Sequence, residues 1–446
     1  MKKNIILFLI ISIGLFLRLR IISIADLWLD EIFSVNLTKL SWYDLLFSQG
    51  EYWDFVHPPL YYILLKIWIS FSDGVLWLKT LGLLFYIASS FLLYKTIHQL
   101  FSKKTAILTV LFYAVNPFII NLDIQVRMYG ILSFFLIISQ YLYITKILQK
   151  IQLKFFESLF IAVIFSISFF IDYGAVWFFI PIALFTFLTK EKTYIRNFFQ
   201  VGLLSGLLSA YQIVFFVKIT NASATAGSVP ANINSDFILR ELLKIFGFFD
   251  PNNLIYLLAF IACFIFIFIN LASVYKKKLQ MSKEHRNIFM FLLLAMFLPV
   301  LLSVLFSLTK KPIFLSRNLL YSGIVFNIVF SIIVLEIQKH AIFQKVISFF
   351  TLTILSLFLI QSLSMKNFNL LSGTPAITQR IIEKNATVIF LPKTYHNSLT
   401  QYYFPRMLSQ DQQKQIYFVQ NINEINELMV DENSTLFIFL FWHMRT

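Results

Sequence analysis

The sequence predicts a polytopic α-helical membrane protein of about eleven spans, followed by a small α/β unit. Three observations carry this. Hydrophobic residues make up 59% of the 446-residue chain and charged residues only 13%, against about 25% charged in a soluble globular domain. Apolar runs of spanning length recur from residue 5 to residue 361. Basic residues stand in small clusters between those runs rather than in one patch. The net charge of +15 therefore reads as a positive-inside bias, and nucleic-acid binding is excluded as a function. Cys263 is the only cysteine, which excludes an intrachain disulfide and a cysteine metal site.

The first run, Ile5 to Ile24, follows Lys2 and Lys3 as a signal peptide would. It is too long for one and has no small-x-small cleavage site, so it is read as a retained span. The other expected spans are 76–98, 105–121, 128–148, 155–171, 174–189, 198–217, 253–274, 287–308, 318–338 and 343–361. Threading these from a cytoplasmic N-terminus puts Lys103 and Lys104, Lys146 to Lys154, Lys190 to Arg196, Lys276 to Arg286, and Lys339 and Lys345 on the inner side. That is where the positive-inside rule wants them. "HPPLYYILLKIWISF", 57–71, is left over. It is short and carries Lys66, and counting it as a span would invert every later loop. It is expected as an interfacial helix beginning after Pro58–Pro59, within a first outer loop 26–75.

Residues 1–364 thus form the expected membrane domain, with a second outer loop at 218–252. Residues 365–446 differ: "ATVIFLP", "KQIYFV" and "STLFIFLFW" read as strands, and "TPAITQRIIEK" and "INEINELMV" as helices. An odd number of spans would put this α/β unit outside the cytoplasm.

Four stretches gather ionisable residues on the outer side. Such groups near a membrane are costly and mark function unless they are paired. Asp30–Glu31 either cap an interfacial helix or supply a general base, and adjacent helical residues face different ways, so one of the two would enter a site. Asp54 and His57 precede the proline pair; they could orient a base, bind a hydroxyl, or hold a divalent metal ion, though two ligands alone are a weak metal signal. Arg127, with Tyr129 in support, is either a snorkelling helix-end residue or a bidentate phosphate clamp, unless Asp123 neutralises it. Lys310, Lys311 and Arg317 are outer cations that run against the positive-inside bias, and Arg18 and Arg20 add to that excess.

With Asp30-Glu31, Asp54-x-x-His57-Pro58-Pro59-Leu60, Arg127-Met128-Tyr129, Arg18, Arg317 and the tail "VIFLPKTYHNSLTQYYF" in this order, the chain resembles the GT-C glycosyltransferases. Within them it is most similar to the protein O-mannosyltransferases, the lipid A aminoarabinose transferase and their bacterial relatives. The resemblance implies an inverting transfer from a polyprenyl-phosphate sugar to a lipid, glycan or protein acceptor. The reaction would run at the outer face of a bacterial cytoplasmic membrane. Asp30 would be the base and Glu31 its motif neighbour. Asp54 and His57 would line the acceptor or metal region, and Arg127 and Arg317 would hold the lipid phosphate. Arg18, Lys311, Asp123 and Tyr129 complete the expected substrate-lining set. One position departs: where relatives often carry an acid two residues before the arginine of Arg-x-Tyr, this chain has Gln125. That leaves the second carboxylate, and with it a metal requirement, open. A lipid-linked-sugar flippase should show ionisable residues along mid-membrane helices, and an O-antigen ligase or polymerase should carry its chemistry in a large late outer loop. The chain has few of the former, and 218–252 is modest and poor in paired acids.

Overall fold

The structure, a computed structural model, describes residues 5–23, 27–49, 57–148, 150–222, 234–249, 253–275, 282–309, 313–337, 341–365 and three short strands. Asp54, Lys310 and Lys311 lie outside the described residues, as do the two expected helices of the tail.

Seventeen α-helices are described, and they form an apolar bundle with one polar end. The first four are α1 (Ile5–Ile22), α2 (Leu29–Leu37), α3 (Trp42–Phe47) and α4 (Leu60–Ile69); then come α5 (Val75–Leu100), α6 (Lys103–Val115), α7 (Pro117–Asp123) and α8 (Tyr129–Leu142). The middle of the chain gives α9 (Phe155–Ile171), α10 (Val176–Leu188), α11 (Lys192–Leu208), α12 (Ala210–Ala222) and α13 (Ser235–Ile245). Last are α14 (Leu254–Tyr275), α15 (Lys283–Thr309), α16 (Leu320–Ile332) and α17 (Ala341–Ser364).

Among the described residues six helical segments are long and apolar enough to cross a membrane, or eight if each of two bent pairs is one span. The remaining expected spans form the shorter apolar helices Phe155–Ile171, Tyr173–Leu188 and Leu254–Ile269. The leftover run is the short helix α4, which starts at Leu60, directly after the proline pair. Proline suits that place, because a first-turn residue has no intrahelical partner for its amide.

The two bends have local causes. α6 and α7 meet at 62° because Pro117 has no amide to continue the ladder. Asn116 caps the new helix: its Oδ1 accepts from Phe118 N at 2.9 Å, and its Nδ2 donates to Asn327 Oδ1 at 3.0 Å. This bend delivers residues 124–128 to the polar end of the bundle. Gly82 fixes their depth, since a Cβ there would lie 2.0 Å from the Asp123 carbonyl oxygen, which no side chain can do without moving backbone. The second bend, 72° between α11 and α12, falls at Ser209.

α16 is buried along its whole length and acts as the bundle's axis, with Phe326 and Phe330 in edge-on and tilted contact with Phe112, Phe246 and Phe350. In the tail, β1 (Val388–Pro392) lies between β2 (Ile416–Val419) and β3 (Leu436–Ile438), parallel to both. Each strand falls within an expected strand segment. Parallel neighbours need long crossover connections.

Candidate functional site

The adjacent acids Asp30 and Glu31 part at the start of α2. Glu31 is wholly buried. Its Oε2 accepts from Trp28 N at 2.9 Å, closing the first turn of the helix, and its Oε1 accepts from Val126 N at 2.7 Å and from Lys79 Nζ at 2.9 Å. A carboxylate this deep is stable only because an ammonium and two peptide donors surround it. Glu31 therefore ties α2 to α5 and to the 124–128 turn, and has no face left for a substrate. Asp30 points the other way, as its helical position requires. Its side chain is 23% exposed, and its Oδ2 lies 3.1 Å from Arg317 Nη1. Arg317 belongs to a single 3₁₀ turn, Ser316–Leu319, that leads into α16.

Arg127 completes the cluster. Its Nη1 donates to the Asp30 carbonyl at 3.1 Å and to Ser34 Oγ at 3.2 Å, and its Nη2 lies 3.1 Å from His57 Nε2. A guanidinium only donates, so His57 Nε2 must accept, and the ring proton sits on Nδ1. That nitrogen faces Asp172 Oδ2 at 3.5 Å, a longer contact than a tight hydrogen bond. Asp172 is itself anchored by Gly174 N. Gln49 Nε2 donates to the His57 carbonyl at 2.7 Å and to Tyr173 Oη at 3.1 Å, and Tyr173 Oη donates to Gln212 Oε1 at 2.8 Å. Tyr129, Asp30 and Arg127 all act electrostatically on Arg317. Two guanidiniums thus meet at one residue, Arg317 at the Asp30 carboxylate and Arg127 at the Asp30 main-chain carbonyl, and guanidiniums are well shaped to bind an anion.

Residues 56–217 match the family described as dolichyl-phosphate-mannose-protein mannosyltransferase, a span that holds His57, Arg127 and Asp172. Among solved structures the chain is similar to ArnT from Cupriavidus metallidurans bound to undecaprenyl phosphate, with TM-score 0.55, 10% identity, 84% of this chain covered and 69% of that one. It is also similar to the oligosaccharyltransferase AglB from Archaeoglobus fulgidus in complex with an inhibitory peptide and a dolichol-phosphate, with TM-score 0.53, 10% identity, and coverage of 92% and 60%. The fold is that of the GT-C glycosyltransferases. The oligosaccharyltransferase of Archaeoglobus fulgidus in complex with Zn and sulfate matches with TM-score 0.50, 13% identity, and coverage of 89% and 61%. The chain is thus shorter than the GT-C proteins it resembles, spanning 61% and 60% of those two chains. No curated protein matches it significantly in sequence.

Not every expected residue joins this cluster. Arg18 and Asp123, expected to line the substrate, bind each other inside the bundle. Arg18 Nε and Nη2 donate to Asp123 Oδ2 at 2.9 and 2.8 Å, Nη1 donates to the Gly14 and Ala114 carbonyls, and the guanidinium stacks 3.6 Å over the Tyr86 ring. Both side chains are buried, and the pair joins α1, α6 and α7 rather than facing a ligand. Glu31, expected beside the base, is committed in the same way to Lys79. Tyr129 is buried at the start of α8. Among the described residues no group of three or more His, Cys, Asp or Glu is arranged to hold a metal ion. His57, one of the two residues expected to bind one, turns Nε2 to Arg127, and the other, Asp54, lies outside the described residues.

Asp172, Lys79, Ser34 and Gln49 belong to this cluster or its frame, yet the sequence gives them no role on its own. Two of them leave a trace. Asp172 is the lone acid between the apolar runs 155–171 and 174–189, and Lys79 is a lone cation near the start of a long apolar run. An isolated charge in such a place asks for a partner of opposite sign.

Proposed function

We propose that the chain is an inverting glycosyltransferase. It moves a sugar from a polyprenyl-phosphate donor to a lipid, glycan or protein acceptor at the outer face of a bacterial cytoplasmic membrane. The observation that carries this reading is the meeting of Asp30, Arg127 and Arg317 from three distant parts of the chain, with Arg317 on the partly exposed Asp30 carboxylate and Arg127 on the Asp30 main-chain carbonyl. Asp30 removes the proton from an acceptor hydroxyl or amine as that atom attacks the anomeric carbon from the face opposite the phosphate. The bond between that carbon and the phosphate oxygen breaks, and its electron pair leaves with the lipid phosphate. The transition state has oxocarbenium character, by analogy with glycoside hydrolysis. Arg127 and Arg317 meet the growing negative charge without having to reorganise. His57, with Nε2 on Arg127 and Nδ1 facing Asp172, keeps the Arg127 guanidinium aimed. The outer-face assignment is supported by the helix directions. Asp30, Arg127, Asp172 and Arg317 sit at one end of their helices, whereas Lys103, Lys104, Lys146, Lys154, Lys190 and Lys192 sit at the other.

The test is incubation of the purified protein in liposomes with labelled polyprenyl-phosphate sugars and membrane extract. Label should pass to one acceptor fraction with inversion at the anomeric carbon. Retention of configuration, or the absence of any transfer together with no affinity for undecaprenyl phosphate, rejects the reading.

Asp172→Asn tests the His57 relay. The amide group presents N–H toward His57 Nδ1, which drives the ring proton to Nε2, where it opposes the guanidinium. The expected result is about tenfold weaker binding of undecaprenyl phosphate, the value of roughly one hydrogen bond to a charged group. Turnover at saturating donor should change less. Unaltered affinity would release His57 from this role.

A further inference from the structure

We infer that Glu241 is a positioning residue that fixes the turn presenting Arg317 to Asp30, and so couples α13 to the phosphate-binding part of the cleft. The inference rests on the transferase reading, but its first test does not depend on it.

α13 lies in the expected outer loop and is tied to the bundle by its apolar face. Leu243 and Ile245 are buried, and Phe246, just beyond the helix, packs against Phe260 and Phe264 of α14 and Phe326 of α16. The chain leaves through Gly247, whose φ of 90° is the left-handed geometry that favours glycine. Glu241 lies on the same face as the anchored Ile245, four residues before it, and is 5% exposed. Its Oε1 takes Lys244 Nζ at 2.6 Å, one helical turn on, and its Oε2 takes the Ser316 amide at 2.7 Å.

Ser316 is the first residue of the turn that carries Arg317, and the amide at the start of such a turn has no partner within the turn. Glu241 supplies that partner from another element, 75 positions away. The next residue along is Arg317, whose Nη1 reaches Asp30 Oδ2 at 3.1 Å. Burial by itself would raise the Glu241 carboxyl, but the Lys244 ammonium and the Ser316 donors outweigh it and hold it below the usual carboxylate value. The acceptor is therefore charged at neutral pH, which makes its bond to the amide a strong one. The 3₁₀ turn is a single turn, so it has little internal hydrogen bonding with which to hold its own geometry. A displacement of Arg317 by 1 Å is enough to cost roughly 10²-fold in a reaction that depends on its placement.

The experiment uses the full-length protein in lipid nanodiscs, with undecaprenyl phosphate as the probe. Hydrogen exchange of the 313–320 amides reports the turn directly, whatever the protein binds. Glu241→Ala should speed that exchange and weaken undecaprenyl phosphate binding about tenfold, while Glu241→Gln, whose amide oxygen can still accept from Ser316, should stay within about threefold of the parent. In an Arg317→Ala background, Glu241→Ala should cause no additional loss of affinity, because it acts through that arginine. If Glu241→Ala does not fold, Ser316→Pro removes the same hydrogen bond from the other side. The extended Leu315 (φ −136°, ψ 138°) and the first position of the turn both accept proline, and the affinity loss should match. Unchanged exchange in Glu241→Ala, or an affinity loss that adds to that of Arg317→Ala, overturns the inference. If the parent protein itself fails to bind the lipid phosphate, the transferase reading falls and takes the inference with it. If the parent binds and Glu241→Ala binds equally well, the inference alone falls.

Discussion

Asp30→Asn should abolish sugar transfer, lowering turnover by about 10²–10⁴-fold, the usual contribution of a positioned general base. The same substitution should leave undecaprenyl phosphate binding intact or tighten it. The reason is the charge balance of the cluster. Asp30 is the carboxylate paired with Arg317 at 3.1 Å, so neutralising it frees a guanidinium for phosphate while removing the proton acceptor. The contrasting variant is Arg127→Ala, which should weaken lipid-phosphate binding and reduce turnover, because a pre-placed donor typically contributes about 10²–10³ in rate. Donor titrations of both variants, with transfer measured at saturation, separate the roles. Near-normal turnover in Asp30→Asn removes Asp30 as the base. A parallel loss of donor binding would instead make it a member of the phosphate site.

Much of the membrane architecture was legible because its cause is local. A bilayer fixes the length of an apolar run. Pro58–Pro59 gave the start of α4, and Pro117 explains a bend that composition alone runs through. The likeness to GT-C enzymes was also readable, since Asp30, His57 and Arg127 keep their order along the chain. What the sequence hid was the pairing of charges. Arg18 and Arg317 are both outer-end arginines on paper, yet one closes on Asp123 across 105 positions and the other on Asp30 across 287. Nothing in either neighbourhood announces which acid it meets. Asp30 and Glu31 are likewise indistinguishable until α2 sets them on different faces, one toward Lys79 and one toward the cleft. Among the described residues six to eight helical segments reach spanning length, and the expected runs 155–171, 174–189 and 253–274 form shorter apolar helices. A run of modest length does not by itself distinguish a span from a buried helix.

The separation of the two acids has a second consequence, measurable as stability. Lys79→Met should cost about 3–5 kcal/mol, the usual penalty when one partner of a buried ion pair is removed and the other stays charged. Lys79 is 1% exposed and Glu31 wholly buried, so water cannot replace the lost ammonium. Adding Glu31→Gln to Lys79→Met should recover part of that loss, because the stranded charge is gone. Recovery should be incomplete, since Glu31 takes Trp28 N on one oxygen and Val126 N on the other. A carboxamide can accept from only one of those amides and turns its own N–H toward the second. Thermal unfolding in detergent gives the order expected: parent, then double variant, then Lys79→Met. Glu31→Gln alone should lose activity in step with its loss of folded protein, unlike Asp30→Asn, which should stay folded and inactive. A Glu31→Gln protein as stable as the parent yet inactive would put Glu31 back among the reacting groups. If Lys79→Met costs less than about 1 kcal/mol, as an exposed pair would, the buried pair is not what holds α2 against the 124–128 turn, and the frame that aims Arg127 must be sought elsewhere.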